Sequence, residues 1–372
     1  MRILQVNKLY WPHIGGMEKV VQQLGEGLAA RGHSCSVLAC GPENVTEQHN
    51  NVTIHRVKTS FRLSSAPFSL VFPGAYRRLA REHDVVIHHY PNPTGELAEL
   101  AAPVRMPKIV LYQSDLVRQK LFKPLYDQMS LLFLRRARSI VSNSPNYAKT
   151  SPLLRHFAQR LQVIPLSVDT VFFQPAGAMH PMLQALRSED TRIVLYLGRF
   201  CYYKGLEFLI RAAALLPDRV KVVLAGQGEE EDRLKTLTRE LHLDERLLFL
   251  PPVTDEELPS LYRGADLFVL PSIARSEAFG LVAIEAMACG TPLVTTEIGT
   301  GTTFHNVSGV TGLVVPPSDP KALAEAIQQI LQNETRRAEM GKNAANRANA
   351  EFSRTTFLDR WEQLIMESAG SR

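Results

Sequence analysis

Short, uninterrupted runs of aliphatic residues alternate with longer amphipathic segments along the chain, and midway the alternation stops and restarts. "RILQVN" (2–7) precedes "GMEKVVQQLGEGLAARG" (16–32), in which Val20, Val21, Leu24 and Leu28 recur at helical spacing; "SCSVLAC", "VVIHHY", "KIVLYQ" and "SIVSNS" follow. Strands that are apolar throughout, with helices between them, belong to a parallel sheet covered on both faces. After a polar passage to about Thr191, "RIVLYLG", "VKVVLAG", "RLLFLPP", "DLFVLPS" and "TPLVTTE" repeat the pattern. The expectation is an α/β protein of two doubly wound, Rossmann-like domains facing a cleft, residues 1–175 and 190–352. The final segment, 353–372, reads as a helix whose Phe357, Trp361, Leu364 and Ile365 share one face and dock back toward the first domain.

Composition narrows the classes. At 372 residues, 45% hydrophobic and 21% charged, the chain has enough apolar material for two packed domains. No run reaches the roughly 18 apolar residues of a membrane span, and Met1-Arg2-Ile3-Leu4 enters a strand directly, so the expected compartment is the cytoplasm. Cys35, Cys40, Cys201 and Cys289 form neither a zinc pattern nor a disulfide framework and read as buried packing residues. Charge is uneven: residues 1–170 carry 21 Lys and Arg against 11 Asp and Glu, the remainder 21 against 26. The basic runs "YRRLAREH" (76–83), "VRQKLFKP" (117–124) and "LRRARS" (134–139) point to an anionic partner, such as the inner face of a membrane or a phosphorylated substrate, or to solvated helix faces. No zinc finger, basic zipper or interleaved aromatic motif accompanies them, so nucleic acid ranks last and no nucleic-acid partner is expected.

Ligands of open α/β sheets bind beyond the carboxyl ends of strands, where helix N-termini offer free N–H groups. Four strand ends stand out. "YWPHIGGMEK" (10–19) puts Gly15 and Gly16 before a helix, letting a backbone approach a ligand. "LGRFCYYKG" (197–205) puts Arg199 and Lys204 where a diphosphate would sit. "AGQGEEED" (225–232) reads as a structural turn. "SEAFGLVAIEAMACG" (276–290) carries Glu277 and Glu285; a helix from about Ala278 would leave the amides of Phe279, Gly280 and Leu281 free, with both carboxylates on one face. Glu285 lies in an apolar run where an unpartnered carboxylate is costly, so a diol such as a ribose is the expected partner.

These motifs resemble those of the retaining glycosyltransferases of family four, which have the GT-B fold. The likeness spans "GGMEKVV", "GRF…YKG", the E-x7-E segment and "GLVVPPSDPKAL" (312–323). It implies that the Gly16 amide lies near the distal phosphate, that Arg199 and Lys204 neutralise the diphosphate, and that the amides of Phe279, Gly280 and Leu281 contact phosphate or sugar. It further implies that Glu277 binds sugar hydroxyls, that Glu285 holds the ribose, and that main chain around Val253 borders the base. The family needs no cofactor and no metal, and the chain has no Asp-x-Asp. In many members the strand end reading "YQSD" here carries His-Ser-Asp; Gln113 replaces that histidine and cannot titrate, while Asp115 reads as a substitute polar group or a helix N-cap before Leu116 and Val117.

The expected activity is hexose transfer with retention from a nucleotide diphosphate sugar, GDP-mannose first and a UDP-sugar second, to a glycan or lipid-linked glycan in surface polysaccharide assembly. A catalytically impaired nucleotide-binding scaffold and a GT-B isomerase or phosphorylase are the alternatives.

Overall fold

The structure, a computed structural model, describes residues 1–13, 15–63, 66–115 and 123–370. Residues 117–122 of the basic run 117–124, and the helix start expected at Leu116, lie outside them. The chain divides into two units, Met1–Leu166 with Arg354–Arg372, and Ser167–Ser353.

The first unit holds an eight-stranded sheet in the order Leu161–Val163, Ser139–Ser142, Lys108–Tyr112, Val85–Tyr90, Arg2–Val6, Ser34–Gly41, Val52–Lys58, Val45–His49. Every pairing is parallel except that of the edge strand Val45–His49 with Val52–Lys58. The order reverses direction between Arg2–Val6 and Val85–Tyr90, so the carboxyl ends of these neighbours flank a switch point. Their residues are buried almost throughout, as strands covered on both faces must be. The helix Gly16–Ala30 follows the first strand, and Gly27 passes so close to Leu358 that a Cβ there would clash.

The final helix, Arg354–Gly370, belongs to this unit. It buries Phe357, Trp361, Leu364 and Ile365, and Arg31 and His33 both bond Glu362, at 3.0 and 2.7 Å.

The second unit is a six-stranded, wholly parallel sheet: Leu247–Leu250, Val220–Ala225, Arg192–Leu197, Leu267–Leu270, Leu293–Thr296, Gly312–Val315. Numbered within the unit this is 3-2-1-4-5-6, the dinucleotide-binding order, with its switch point between Arg192–Leu197 and Leu267–Leu270.

The division between units falls at Leu166 rather than at 175. The polar stretch 167–191 is no free linker but is tied to the second unit by several bonds. The Val168 N–H donates to the Phe352 carbonyl at 2.8 Å, His180 N–H to the Ser260 carbonyl at 3.0 Å, and Arg187 to Asp266 at 2.7 Å. All four cysteines are free and buried.

Candidate active site

Two loops leave the carboxyl ends of the strands that flank the second unit's switch point, residues 198–205 and 271–280. They are pinned together: Gly205 is left-handed, with φ 66°, and a Cβ there would strike the Pro271 carbonyl. The Ile273 N–H donates to the Tyr203 carbonyl at 2.8 Å. Only glycine satisfies both the dihedral and the contact. The pinning brings the Lys204 ammonium, 73 positions away in sequence, onto the Glu277 carboxylate in a short hydrogen-bonded ion pair. Ser272 Oγ donates to the same carboxylate oxygen at 3.2 Å. Lys204 and Glu277 are 8% and 7% exposed, so each charge depends on the other for its burial. Burial and the Glu277 charge push the Tyr196 and Tyr203 hydroxyls well above their ordinary pKa, leaving them as neutral donors.

The helix expected from Ala278 begins instead at Leu281 and runs to Ala288. Gly280 precedes it in the left-handed region, φ 84°, a conformation that does not continue a helix. Phe279 therefore lies before the helix, its ring buried beneath Gly301 and its carbonyl accepting from His305 Nε2 at 2.7 Å. Burial lowers the His305 pKa to about 4, so the imidazole is neutral and donates through Nε2. Among the described residues no protein group accepts from the N–H of Gly280, Leu281 or Val282. Free donors and positive dipole are thus present, one position later than expected.

Glu277 and Glu285 do not share a helical face, because only Glu285 is in the helix. Nor is Glu285 without a protein partner: the buried Tyr262 hydroxyl donates to it at 2.7 Å. Arg199 does not join the Lys204–Glu277 pair: it is mostly exposed and paired with Glu229 at 2.9 Å, its carbonyl taken by Tyr196 at 3.0 Å. Val253 is half-buried in the loop after Leu247–Leu250. The turn at 226–228 is structural, since a Cβ on Gly228 would strike the Phe200 backbone.

In the first unit, Gly15 caps the helix Gly16–Ala30 with extended backbone, and a Cβ on Gly16 would meet nothing within 4 Å. The space that a close-approaching ligand would need is present there. Gln113 follows the strand Lys108–Tyr112 and is buried. Its polarity is fixed by a chain across three adjacent strands. The Val21 carbonyl accepts from Gln5 Nε2 at 3.1 Å, so Gln5 Oε1 faces His89 Nε2 at 2.8 Å and must accept. His89 Nδ1 is then a lone pair, and Gln113 Nε2 donates to it at 3.0 Å. Burial lowers the His89 pKa to about 3, so the ring is neutral. Gln113 Oε1 therefore points away from His89, as a pure acceptor. Asp115 accepts from the Tyr112 and Ser151 hydroxyls, each at 2.7 Å, and its N–H donates to Tyr147.

Sequence reasoning missed Ser272, Tyr262, His305, Gln5 and His89. The pair of histidines in "VVIHHY", polar in an otherwise apolar strand, was the signal available for His89.

The family described as Glycosyltransferase Family 4 matches residues 14–172, and that described as Glycosyl transferases group 1 matches residues 183–347. The chain is 32% identical to O-antigen chain mannosyltransferase C of Escherichia coli, with 98% of each chain covered. It is 34% identical to D-rhamnosyltransferase WbpZ of Pseudomonas aeruginosa, over 95% of this chain and 92% of the other. Among solved structures, a sucrose-phosphate synthase from Thermosynechococcus elongatus superposes with a TM-score of 0.83 at 25% identity, all of both chains being covered. Anabaena HepE in complex with UDP superposes at 0.79 with 22% identity, over 99% of this chain and 100% of the other.

Proposed function

This chain belongs to the family 4 glycosyltransferases, with the two Rossmann-like domains of the GT-B fold, and from that premise we propose that it transfers mannose, with retention, from GDP-mannose to a hydroxyl of a growing, lipid-linked glycan in surface polysaccharide synthesis. The observation that carries the reading is the buried Lys204–Glu277 pair beside the unfilled N–H groups of Gly280, Leu281 and Val282, at the switch point of a 3-2-1-4-5-6 sheet. An ammonium and a helix start serve a diphosphate, and a carboxylate held by Lys204 and Ser272 serves sugar hydroxyls.

In this reading the acceptor oxygen bonds to the sugar's anomeric carbon as the bond to the diphosphate oxygen breaks, on the same face. The departing phosphate takes the acceptor's proton, and Lys204, Arg199 and the helix amides offset the charge that develops, with no metal and no cofactor. Glu285 and Tyr262 hold the ribose, main chain at Val253 borders the base, Gly15 and Gly16 admit the distal phosphate, and Gln113 Oε1 accepts from a substrate hydroxyl. No proton transfer is assigned to Gln113, consistent with its chemistry. The enzyme acts at the cytoplasmic face of a membrane, the exposed Arg77, Arg78 and Arg81 meeting anionic lipid.

The likeness to a D-rhamnosyltransferase over nearly the whole chain favours one second reading, a deoxyhexose in place of mannose. Thermal shifts with GDP, UDP and ADP, with and without a chelator, test the grip. A shift with GDP alone that survives the chelator is expected, followed by α-linked product from GDP-mannose; a UDP-only shift, or an inverted anomer, overturns the reading.

A further inference from the structure

At the amino end of the first domain's sheet, opposite the end that carries Gln113, the starts of Lys108–Tyr112 and Ser139–Ser142 frame a hollow of about 730 Å³. Its charged lining is Arg105, Lys108, Arg135, Arg136, Arg138 and Arg160, with no Asp or Glu among the lining residues. Arg135 and Arg160 are shared with an adjoining hollow of about 770 Å³ that adds Arg155 and His156.

Part of this charge is accounted for within the protein. The buried Glu99 carboxylate lies 3.3 Å from Lys108 Nζ and 3.7 Å from Arg136, which also donates to the Glu99 carbonyl at 2.7 Å. Arg160 donates to the carbonyls of Arg135 and Ala137 at 2.9 and 3.2 Å, which fixes its guanidinium at the wall. Glu99 thus accounts for two of the six cations, Lys108 and Arg136. The side chains of Arg105, Arg135 and Arg155 have no protein partner among the described residues. Other arginines of the chain do find carboxylates: Arg2 pairs with Asp84, Arg56 with Glu47, Arg187 with Asp266 and Arg233 with Glu207 and Glu230. Like charges gathered in a concave surface focus the field and lower their mutual repulsion only when an anion joins them. Planar guanidiniums on a fixed wall are the donors that match phosphate oxygens in pairs.

We propose that this hollow is a second anion site, separate from the donor site, that takes a phosphate- or diphosphate-bearing group. Lys108 and Gln113 stand at opposite ends of one strand, about five residues or roughly 17 Å apart, too far for one small ligand to span. The group can belong to a lipid headgroup or to a soluble phosphate, and the chemistry of the wall is the same for both.

Binding of inorganic diphosphate is measured by calorimetry on the intact protein, on R105S/R135S, and on R77S/R78S, which removes the same charge from a different face. The donor site is intact in all three. The expected result is at least a tenfold weaker diphosphate affinity, or one binding event fewer, in R105S/R135S alone, with transfer to a soluble acceptor unchanged. Co-sedimentation with vesicles of phosphatidylcholine, with and without phosphatidylglycerol, assigns the source. The comparison is made in the R77S/R78S background, which removes the other basic face: loss of the remaining anionic-vesicle binding on adding R105S/R135S identifies a lipid headgroup, and unchanged vesicle binding identifies a soluble phosphate. Equal losses of diphosphate affinity in both double variants, or no loss in R105S/R135S, would overturn the second site by reducing it to general surface charge. Absence of diphosphate binding beyond the donor site in the intact protein would do the same.

Discussion

At the carboxyl edge of the second domain's sheet, beside its switch point, sit a buried ammonium and a buried carboxylate, Lys204 and Glu277. At the corresponding edge of the first domain sit two carboxamides and an imidazole, Gln113, Gln5 and His89, none of them charged. Both sheets reverse their strand order at a switch point, but the chemistry placed there differs. Charge at a switch point serves a ligand that gains charge as its bond breaks, as a departing diphosphate does. A neutral chain with fixed polarity serves one that only needs orienting, such as a hydroxyl that must present its hydrogen to Gln113 Oε1. A carboxamide such as Gln113 can orient a hydroxyl but cannot titrate, which sets it apart from a histidine at the same position.

The largest effect falls on the charged pair. Lys204→Ala leaves a buried carboxylate without its cation, and stability falls by about 3–5 kcal/mol, while transfer falls by roughly a thousandfold. In K204A/E277A much of the stability returns and none of the activity does, because no charge is left stranded; thermal unfolding and kcat/KM on the four proteins of the cycle separate the two. Gln113→Leu orphans only the His89 lone pair, at about 1–3 kcal/mol, with about a tenfold loss in kcat. A Gln113→Leu variant as damaged as Lys204→Ala would erase the distinction between the two edges.

Acid sharpens the contrast. Burial holds His88 and His89 in the first domain at about 3 and His305 in the second at about 4, all below the ordinary 6.5. The unfolded chain therefore binds protons that the folded domains refuse. Stability is full above pH 6.5 and is lost as pH falls toward the folded values, by about 1.4 kcal/mol per pH unit for each proton. Glu96 opposes this in the first domain. Burial raises its pKa to about 7, so between 4.5 and 7 the folded state holds a proton that the unfolded state releases. Below about pH 4.5 that opposition ends, and the first domain loses stability on two histidines while the second finishes with one. Hydrogen exchange resolved by domain should show the first domain opening first between pH 4.5 and 3; simultaneous opening contradicts the assignment of His88 and His89 as neutral.

How far this was legible in the sequence depended on the range of the forces involved. Parallel strands covered on both faces read as continuous apolar runs, so the central strands of both sheets showed themselves except Val52–Lys58, whose "VTIHRVK" mixes apolar with polar and charged residues. The edge strand Val45–His49 did not: "VTEQH" alternates half-buried with exposed, and its pairing with Val52–Lys58 is tertiary. Lys204 and Glu277 were each singled out, yet their union was not, because it depends on Arg192–Leu197 pairing with Leu267–Leu270 and on the left-handed Gly205 between them. The helix starts at 281 rather than near Ala278 for a tertiary reason. Ala278 and Phe279 are acceptable in a helix, but the Phe279 ring packs against Gly301 and the Phe279 carbonyl meets His305, and Gly280 turns left-handed to allow both. Tertiary contacts overrode propensity there.

Two glycines give the smallest and most diagnostic test of the comparison. Gly280→Ala asks an L-residue to hold φ 84° and sets its Cβ 2.7 Å from Leu270, so stability falls by about 1–2 kcal/mol whatever the substrate does. Gly16 differs on both counts, since it opens a helix and a Cβ there meets nothing within 4 Å. Alanine favours the helix by up to about 1 kcal/mol, so the melting temperature of Gly16→Ala should hold or rise slightly. If the Gly16 backbone comes against the donor's distal phosphate, the added methyl occupies that approach, and the donor KM rises roughly tenfold in a protein that is no less stable. That combination, tighter folding with weaker donor binding, has no structural explanation within the first domain alone. An unchanged KM would make Gly15 and Gly16 a helix start and nothing more, leaving the diphosphate to Lys204, Arg199 and the amides before Ala283.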